Sequence, residues 1–309
     1  MNTEVSKPSG SARSNIQWPA GKLCAAMITV NMDGESGILF SNPEAADHLD
    51  VMAQMAYGER TGVPRLLRIF KQRGIRATFF IPGFVADRWP DAVREVVDAG
   101  HEVAHHGYLH EYLTQVPGDA AEEQILMRGI DALERLTKKR PLGYRAPGFK
   151  MRHSTPALLA KHGFLYDSSL QDTDIPYHLL VDGEAGARSI IEIPVQWQLD
   201  DWLYYMALPS LKPGIALRDP KEVVNIWADE AQALKAEGGV FNLTLHPFCS
   251  GRAARAQGID DLIGRLMDSD EVWLTTGTEL AEHVQSQPLQ PFFHRPVALN
   301  ESGATRQDG

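Results

Sequence analysis

Cysteine is almost missing from this sequence: 309 residues contain only Cys24 and Cys249. Two thiols cannot build a disulfide framework, so the fold must rest on a packed core and no bridge is expected. Positive charge is also short, with 30 Lys and Arg against 40 Asp and Glu. That balance repels phosphate backbones and anionic lipid, which argues against nucleic-acid and membrane partners. No apolar run is long enough to span a bilayer, and the polar, Ser-rich stretch Met1 to Asn15 has no apolar centre of a secretory signal. The expected location is therefore the cytoplasm. There is no Gly/Ser/Pro linker, no mid-chain charge run and no internal repeat, so a single domain is the economical reading.

What is present is an alternation. Short apolar runs rich in β-branched and aromatic residues are each followed by a stretch with helical spacing, the pattern of an α/β fold with a parallel sheet. The expected strands are Leu23–Val30, Ala77–Ile81, Glu102–Ala104, Gly143–Arg145, Ile190–Val195, Val240–Leu245 and Val272–Thr275. The expected helices are Val63–Arg73, Pro90–Ala99, Gly118–Thr137, Thr155–His162, Pro220–Ala236, Gly258–Asp268 and Thr278–Gln285. Seven such units suggest a barrel over residues 16–286, with a disordered N-terminus at 1–15 and a partly disordered extension at 287–309. Two insertions, Gly37–Thr61 and Ser168–Arg188, are expected at the C-terminal face of the strands as lids or subunit contacts, the face where barrel loops build active sites.

The segment His101-Glu-Val-Ala-His-His-Gly-Tyr-Leu-His110 carries the most chemistry. His106 and His110 are four apart, and on a helical turn that spacing aims two imidazoles at one ion. An isolated H-x3-H pair also arises by chance. In Asn31-Met-Asp-Gly-Glu35 an apolar strand ends in an acidic turn, where Asp33 is either a third ligand or a turn former. Both segments follow expected strands and would meet on one barrel rim. Two histidines and a carboxylate suit a divalent metal, zinc first, with one position left for water whose pKa falls towards about 7.

Two further strand ends are polar. In Tyr144-Arg-Ala-Pro-Gly148, Arg145 either clamps a carboxylate or makes a surface salt bridge. In Leu243-Thr-Leu-His-Pro247, His246 either protonates a leaving nitrogen or is a buried structural histidine. Trp197-Gln-Leu-Asp-Asp-Trp202 pairs two carboxylates with two indoles, which suggests a pocket wall. Asp201 is a plausible orienting partner for His246, whereas Trp197 could equally be core. Cys249 reads as a small apolar filler.

Taken in order, Asp33-Gly34, His106-x3-His110, Arg145-Ala-Pro-Gly148, Asp201-Trp202 and Leu245-His246 resemble the motifs of the polysaccharide deacetylase (NodB-homology) family, from about Leu23 to Thr276. The resemblance implies a single distorted (β/α)7 TIM-like barrel holding one divalent metal through Asp33, His106 and His110. It makes His246 the acid, oriented by Asp201, and gives Arg145 the task of tethering a carboxylate base. Trp202, Tyr144, Pro147, Asn31 and Glu35 are expected to line the substrate pocket. The family carries that base one or two places before the metal-binding aspartate, where this chain has Asn31 and Met32. Either activated water needs little help, or Glu35 or another acid serves, or the carbonyl is unusually electrophilic.

Trp18-Pro-Ala-Gly21, His106-Gly-Tyr-Leu-His-Glu111, Tyr166-Asp-Ser-Ser169 and His246-Pro-Phe-Cys-Ser-Gly-Arg252 resemble a narrower subgroup of cyclic imide hydrolases, one kind of peptidoglycan deacetylase and a metal-independent allantoinase. That resemblance implies a small cyclic imide, ureide or related amide as substrate, and a homotetramer. N-deacetylation of an amino sugar or glycan is the alternative, and a scaffold protein that has lost catalysis is a third.

Overall fold

The computed structural model describes residues 16–181, 188–209, 211 and 217–294. The expectations for 1–15, and for 287–309 beyond residue 294, lie outside the described residues.

Nine strands form one sheet: β1 (Cys24–Asn31), β2 (Thr78–Ile81), β3 (Glu102–His105), β4 (Gly143–Tyr144), β5 (Tyr166–Asp167), β6 (Tyr177–Leu180), β7 (Ser189–Glu192), β8 (Val240–Leu245) and β9 (Val272–Leu274). Seven run parallel in the order β7-β5-β4-β3-β2-β1-β8. At the rim, an isolated parallel bridge between Asp200 and Thr244 ties the chain after β7 to β8. This is a distorted (β/α)7 barrel, as expected, but its seven strands are not the seven read from the sequence. Tyr166–Asp167 replaces Val272–Thr275 in the ring. A two-residue strand shows no periodicity to read, whereas Val272–Leu274 is apolar enough to look like barrel wall yet pairs only with the first three residues of β1.

The first insertion lies at the C-terminal face of the strands, as expected, and the described part of the second adds a strand to the sheet edge. Residues 37–61 form the helices Ser36–Ser41 and Leu49–Tyr57 and a π-helical turn, Gly58–Gly62. They pack behind the site, where Gly37 lies against the His110 ring. Ser168–Arg188 contributes β6, antiparallel to β7, whose outer side is met by Phe292 from the C-terminal extension. Among the described residues neither insertion lines the pocket, although Phe40 of the first stands edge-on to Tyr112, which does; residues 182–187 are outside the description.

Strand alternation decides which side chains enter the barrel. Along β1 and just beyond it, Ile28, Val30 and Met32 pack into the core beneath the helices, while Thr29, Asn31 and Asp33 point the other way. Along β8, Phe241, Leu243 and Leu245 join the same core, and Asn242, Thr244 and His246 face the barrel axis. Lower in the barrel, Ala25, Met27, Phe80, Ala104, Tyr166 and Ile193 fill the axis with apolar side chains. The interior is thus an apolar plug capped by a polar layer at the C-terminal ends of the strands.

Candidate metal and catalytic site

Each chemical residue sits just past a strand end: Asp33 after β1, His106 after β3, Arg145 after β4 and His246 after β8. Turns then set their aim. Gly34, at φ +50, allows the chain to bend immediately after Asp33, and His110 itself adopts the left-handed region at φ +61.

Asp33 Oδ1 lies 3.6 Å from His106 Nε2 and its Oδ2 lies 3.4 Å from His110 Nε2, with all three residues buried. A tetrahedral ion bound at the usual zinc distances holds its ligand atoms about 3.4 Å apart. His106 Nδ1 donates to the Arg145 carbonyl at 2.6 Å, which leaves the Nε2 lone pair facing Asp33. Asp33 Oδ1 and His106 Nε2 are buried without a hydrogen-bond partner. Two orphaned acceptors facing each other need a cation between them, so the residues present fit one divalent metal. Burial pushes His106 down to about 3, keeping it neutral as a ligand must be. Burial works against ionising Asp33, but His110, His246 and His106 outweigh it and hold its carboxyl well below the usual range.

Beside this triad, His246 Nε2 approaches Asp33 Oδ2 at 3.5 Å. Its Nδ1 donates to Asp201 Oδ1 at 2.6 Å, and its backbone N–H donates to Asp201 Oδ2 at 2.9 Å. Burial alone would lower the imidazole, but Asp200, Asp201 and Asp33 together raise it to about 9. Trp202 meets the ring edge-on at 5.3 Å. His246 is thus an imidazole oriented by Asp201 with Nε2 turned towards Asp33, the geometry that a proton donor at this place requires.

Arg145 is fully buried, and its guanidinium reaches six oxygens: Thr29 Oγ1, Asn31 Oδ1, Thr244 Oγ1, Asn242 Oδ1 and both oxygens of Ser168. None is a carboxylate. The expected tether of a base has become a tether of an amide. Because Arg145 only donates, Asn31 Oδ1 must face it, and the Asn31 NH2 group is turned towards the pocket as a donor.

The pocket over these groups has a volume of about 160 Å³. Asn31, Asp33, His110 and His246 form its floor, Asp200 and Trp202 one wall, and Tyr112, Gly148–Lys150 and Trp197 the mouth. Gly148 and Phe149 are consecutive left-handed residues, at φ +58 and +57, and this strained turn holds the Phe149 ring edge-on to Trp197 at 4.9 Å.

Of the expected pocket residues, Asn31 and Trp202 line it, but Tyr144, Pro147 and Glu35 do not. Tyr144 faces outwards and stacks on His105, and Pro147 is buried against Gly107. The Glu35 carboxylate accepts from Trp89 Nε1 at 2.7 Å, with Arg88 at 3.7 Å, so it is neither wall nor base. The Trp197–Trp202 segment supplies wall residues as read, with Trp197, Asp200 and Trp202 lining the pocket, whereas sequence reasoning missed Tyr112, Phe149 and Lys150 as lining and missed Glu59, whose buried carboxylate has no hydrogen-bond partner among the described residues and is pushed up to about 8 by burial. The doubled left-handed turn was the hidden cause for Phe149 and Lys150, and no sequence pattern announces it.

Residues 50–166 match the family model described as polysaccharide deacetylase. A peptidoglycan deacetylase of Helicobacter pylori is 30% identical over 276 residues, spanning 82% of this chain and 93% of that protein. A peptidoglycan deacetylase-like protein of Gibberella zeae is 31% identical over 268 residues, spanning 77% of this chain and 79% of its own length. Among solved structures, a Mycobacterium smegmatis protein assigned as a polysaccharide deacetylase is 43% identical with a TM-score of 0.87, covering 91% of this chain and 97% of that one. An allantoinase is 25% identical with a TM-score of 0.76, covering 93% of this chain and 100% of that one.

Proposed function

The chain belongs to the polysaccharide deacetylase family of hydrolases, and from that premise we propose that it cleaves a carbon–nitrogen bond in a small cyclic imide, ureide or related amide with the help of a divalent metal. The observation that carries this reading is the pairing of a small aromatic-walled pocket with Asn31 where a base would stand. A donor amide suits a substrate with a second carbonyl, as a cyclic imide or ureide has. A donor there does not help remove a proton.

A divalent ion held by Asp33, His106 and His110 would polarise the carbonyl and make water acidic enough to attack near neutral pH. The chain's own residues do the rest. Arg145 fixes the Asn31 amide, which orients the substrate's second carbonyl through its NH2 group. Trp197, Phe149 and Tyr112 cover the ring faces and exclude water. His246 Nε2 delivers its proton to the departing nitrogen, and Asp201 holds the imidazole in place for it.

Glycan deacetylation is a second reading, supported by the length of the match to the Helicobacter pylori peptidoglycan deacetylase. The two readings separate on turnover. Chelator-stripped protein reloaded with a defined metal is offered succinimide, hydantoin, allantoin, N-acetylglucosamine oligomers and peptidoglycan fragments. Ring opening of the small compounds without acetate release supports the proposal, and acetate release alone overturns it.

A further inference from the structure

We propose that Asp200 is the general base, taking the proton of the attacking water in place of the carboxylate that position 31 lacks. This inference rests on the reading that the pocket hydrolyses an amide, but not on which amide.

The argument begins with the proton acceptors facing the pocket. Asp33 and His110 belong to the metal triad. His246 is taken up by the other step, its Nδ1 and backbone N–H both donating to Asp201 so that Nε2 faces the departing nitrogen. Lys150 is a cation that lies over the Tyr112 ring, and Tyr112 is a phenol. Asn31 cannot accept, because Arg145 occupies its oxygen. Asp200 is what remains, a carboxylate in the wall beside His246.

Its placement supports the role. Residue 200 bridges to Thr244, so its backbone is anchored to the C-terminal end of β8. One oxygen, Oδ1, accepts from the Trp202 N–H at 2.8 Å and lies 3.6 Å from His246 Nδ1. The other takes no hydrogen bond within the protein among the described residues, although the side chain is buried apart from the pocket. Burial raises this carboxyl to about 6, Asp201 adds to the rise, and His246 and Arg145 oppose it. A base near that value is ionised at neutral pH yet basic enough to take a proton. The buried Arg145 charge acts on Asp200, and its guanidinium donates to Thr244, the residue to which Asp200 bridges.

The step balances. The water oxygen bonds to the amide carbon, one water proton passes to Asp200 Oδ2, and the carbonyl electron pair moves onto oxygen. When that pair returns, the carbon–nitrogen bond breaks, nitrogen takes a proton from His246 Nε2, and a carboxylic acid and an amine remain. Asp200 then holds one proton more and His246 one fewer, and transfer between them through pocket water restores both.

The test uses full-length metal-loaded chain with Asp200→Asn, Asp200→Ala and the parent, on succinimide, hydantoin, an N-acetylglucosamine oligomer and p-nitrophenyl acetate. On whichever of these the parent cleaves, Asp200→Asn should lower kcat by about 10²-fold or more with KM changed by less than about 3-fold. Zinc per chain, and the affinity for the cleavage product measured by calorimetry, should match the parent. Formate should restore part of the Asp200→Ala rate and none of the Asp200→Asn rate. A kcat within about 3-fold of the parent, a loss confined to KM, or a loss of zinc would each overturn the assignment. If the parent cleaves only the oligomer or the ester, the small-ring reading falls, and the Asp200 outcome is still read on that substrate.

Discussion

Arg145 Nη1 donates to Asn31 Oδ1 at 3.0 Å, so the buried cation at this place is paired with an amide and not with a carboxylate. This contact fixes which end of Asn31 faces the pocket, and it sets the first prediction. Asn31→Asp puts an acceptor where a donor stood and pairs it with Arg145. Hydrolysis of a small imide should fall by about 10-fold or more as the orienting donor is lost, while release of acetate from N-acetylated sugars should rise, because a second carboxylate base is now beside the metal triad. The ratio of the two kcat/KM values, measured on one preparation, checks this. A rise in imide turnover would show that Asn31 is not an orienting donor.

The same guanidinium makes a prediction about stability. Six oxygens from β1, β8 and the loop after β5 converge on Arg145. Lysine has three donors and no planar fork, so Arg145→Lys strands several buried acceptors. The cost should be about 3 kcal/mol, visible as a fall in the urea midpoint at unchanged slope. Burial lowers Arg145 only to about 10, so it is charged throughout the range in which the protein would be assayed.

That polar layer was partly legible in the sequence. Asp33, His106, His110, Asp201 and His246 could be named because each follows an apolar run, and a parallel barrel brings such ends to one rim. The repeated alternation Thr29-x-Asn31-x-Asp33 and Asn242-x-Thr244-x-His246 was also available as a sign that both strands aim polar groups inward. Tyr144 was misplaced because a two-residue strand gives no phase, and a one-step error turns a side chain to the opposite face. Pro147, Phe149 and Lys150 depend on two successive left-handed residues, one of them not glycine, which no propensity foretells. Glu35 was attractive by nearness in sequence, but its partner Trp89 lies 54 residues away.

The metal triad can be tested without turnover. Asp33 Oδ1 and His106 Nε2 are buried acceptors facing each other at 3.6 Å, and a cation between them removes a repulsion the folded chain otherwise carries. Stripping the parent with a chelator should lower Tm, and adding back zinc in 100-fold excess over its dissociation constant should return about 2.7 kcal/mol. His106→Ala should bind less than a tenth of the parent's zinc per chain by elemental analysis and show no Tm response to zinc. A full zinc response in His106→Ala would move the site elsewhere.

His101 gives the last prediction, on pH. Its Nδ1 accepts from the Ala77 N–H at 3.0 Å, and the ring packs against Phe70 and Phe79. Burial, with Arg76 nearby, lowers it from 6.5 to about 4. Above pH 6.5 the imidazole is neutral in both the folded and unfolded chain, and its favourable contacts count in full. As pH falls from 6.5 towards 4 the unfolded chain takes up a proton that the folded chain refuses. Stability is therefore lost in that window at up to about 1.4 kcal/mol per pH unit, or about 3 kcal/mol in all. His101→Asn should be weaker than the parent at pH 7.5, through lost packing against the two phenylalanines, yet should lose less stability between pH 6.5 and 4. Urea unfolding of both proteins at half-unit steps isolates the difference, since other buried histidines such as His105 contribute equally to each. Parallel stability curves for the two chains would mean that His101 charges as readily in the fold as out of it.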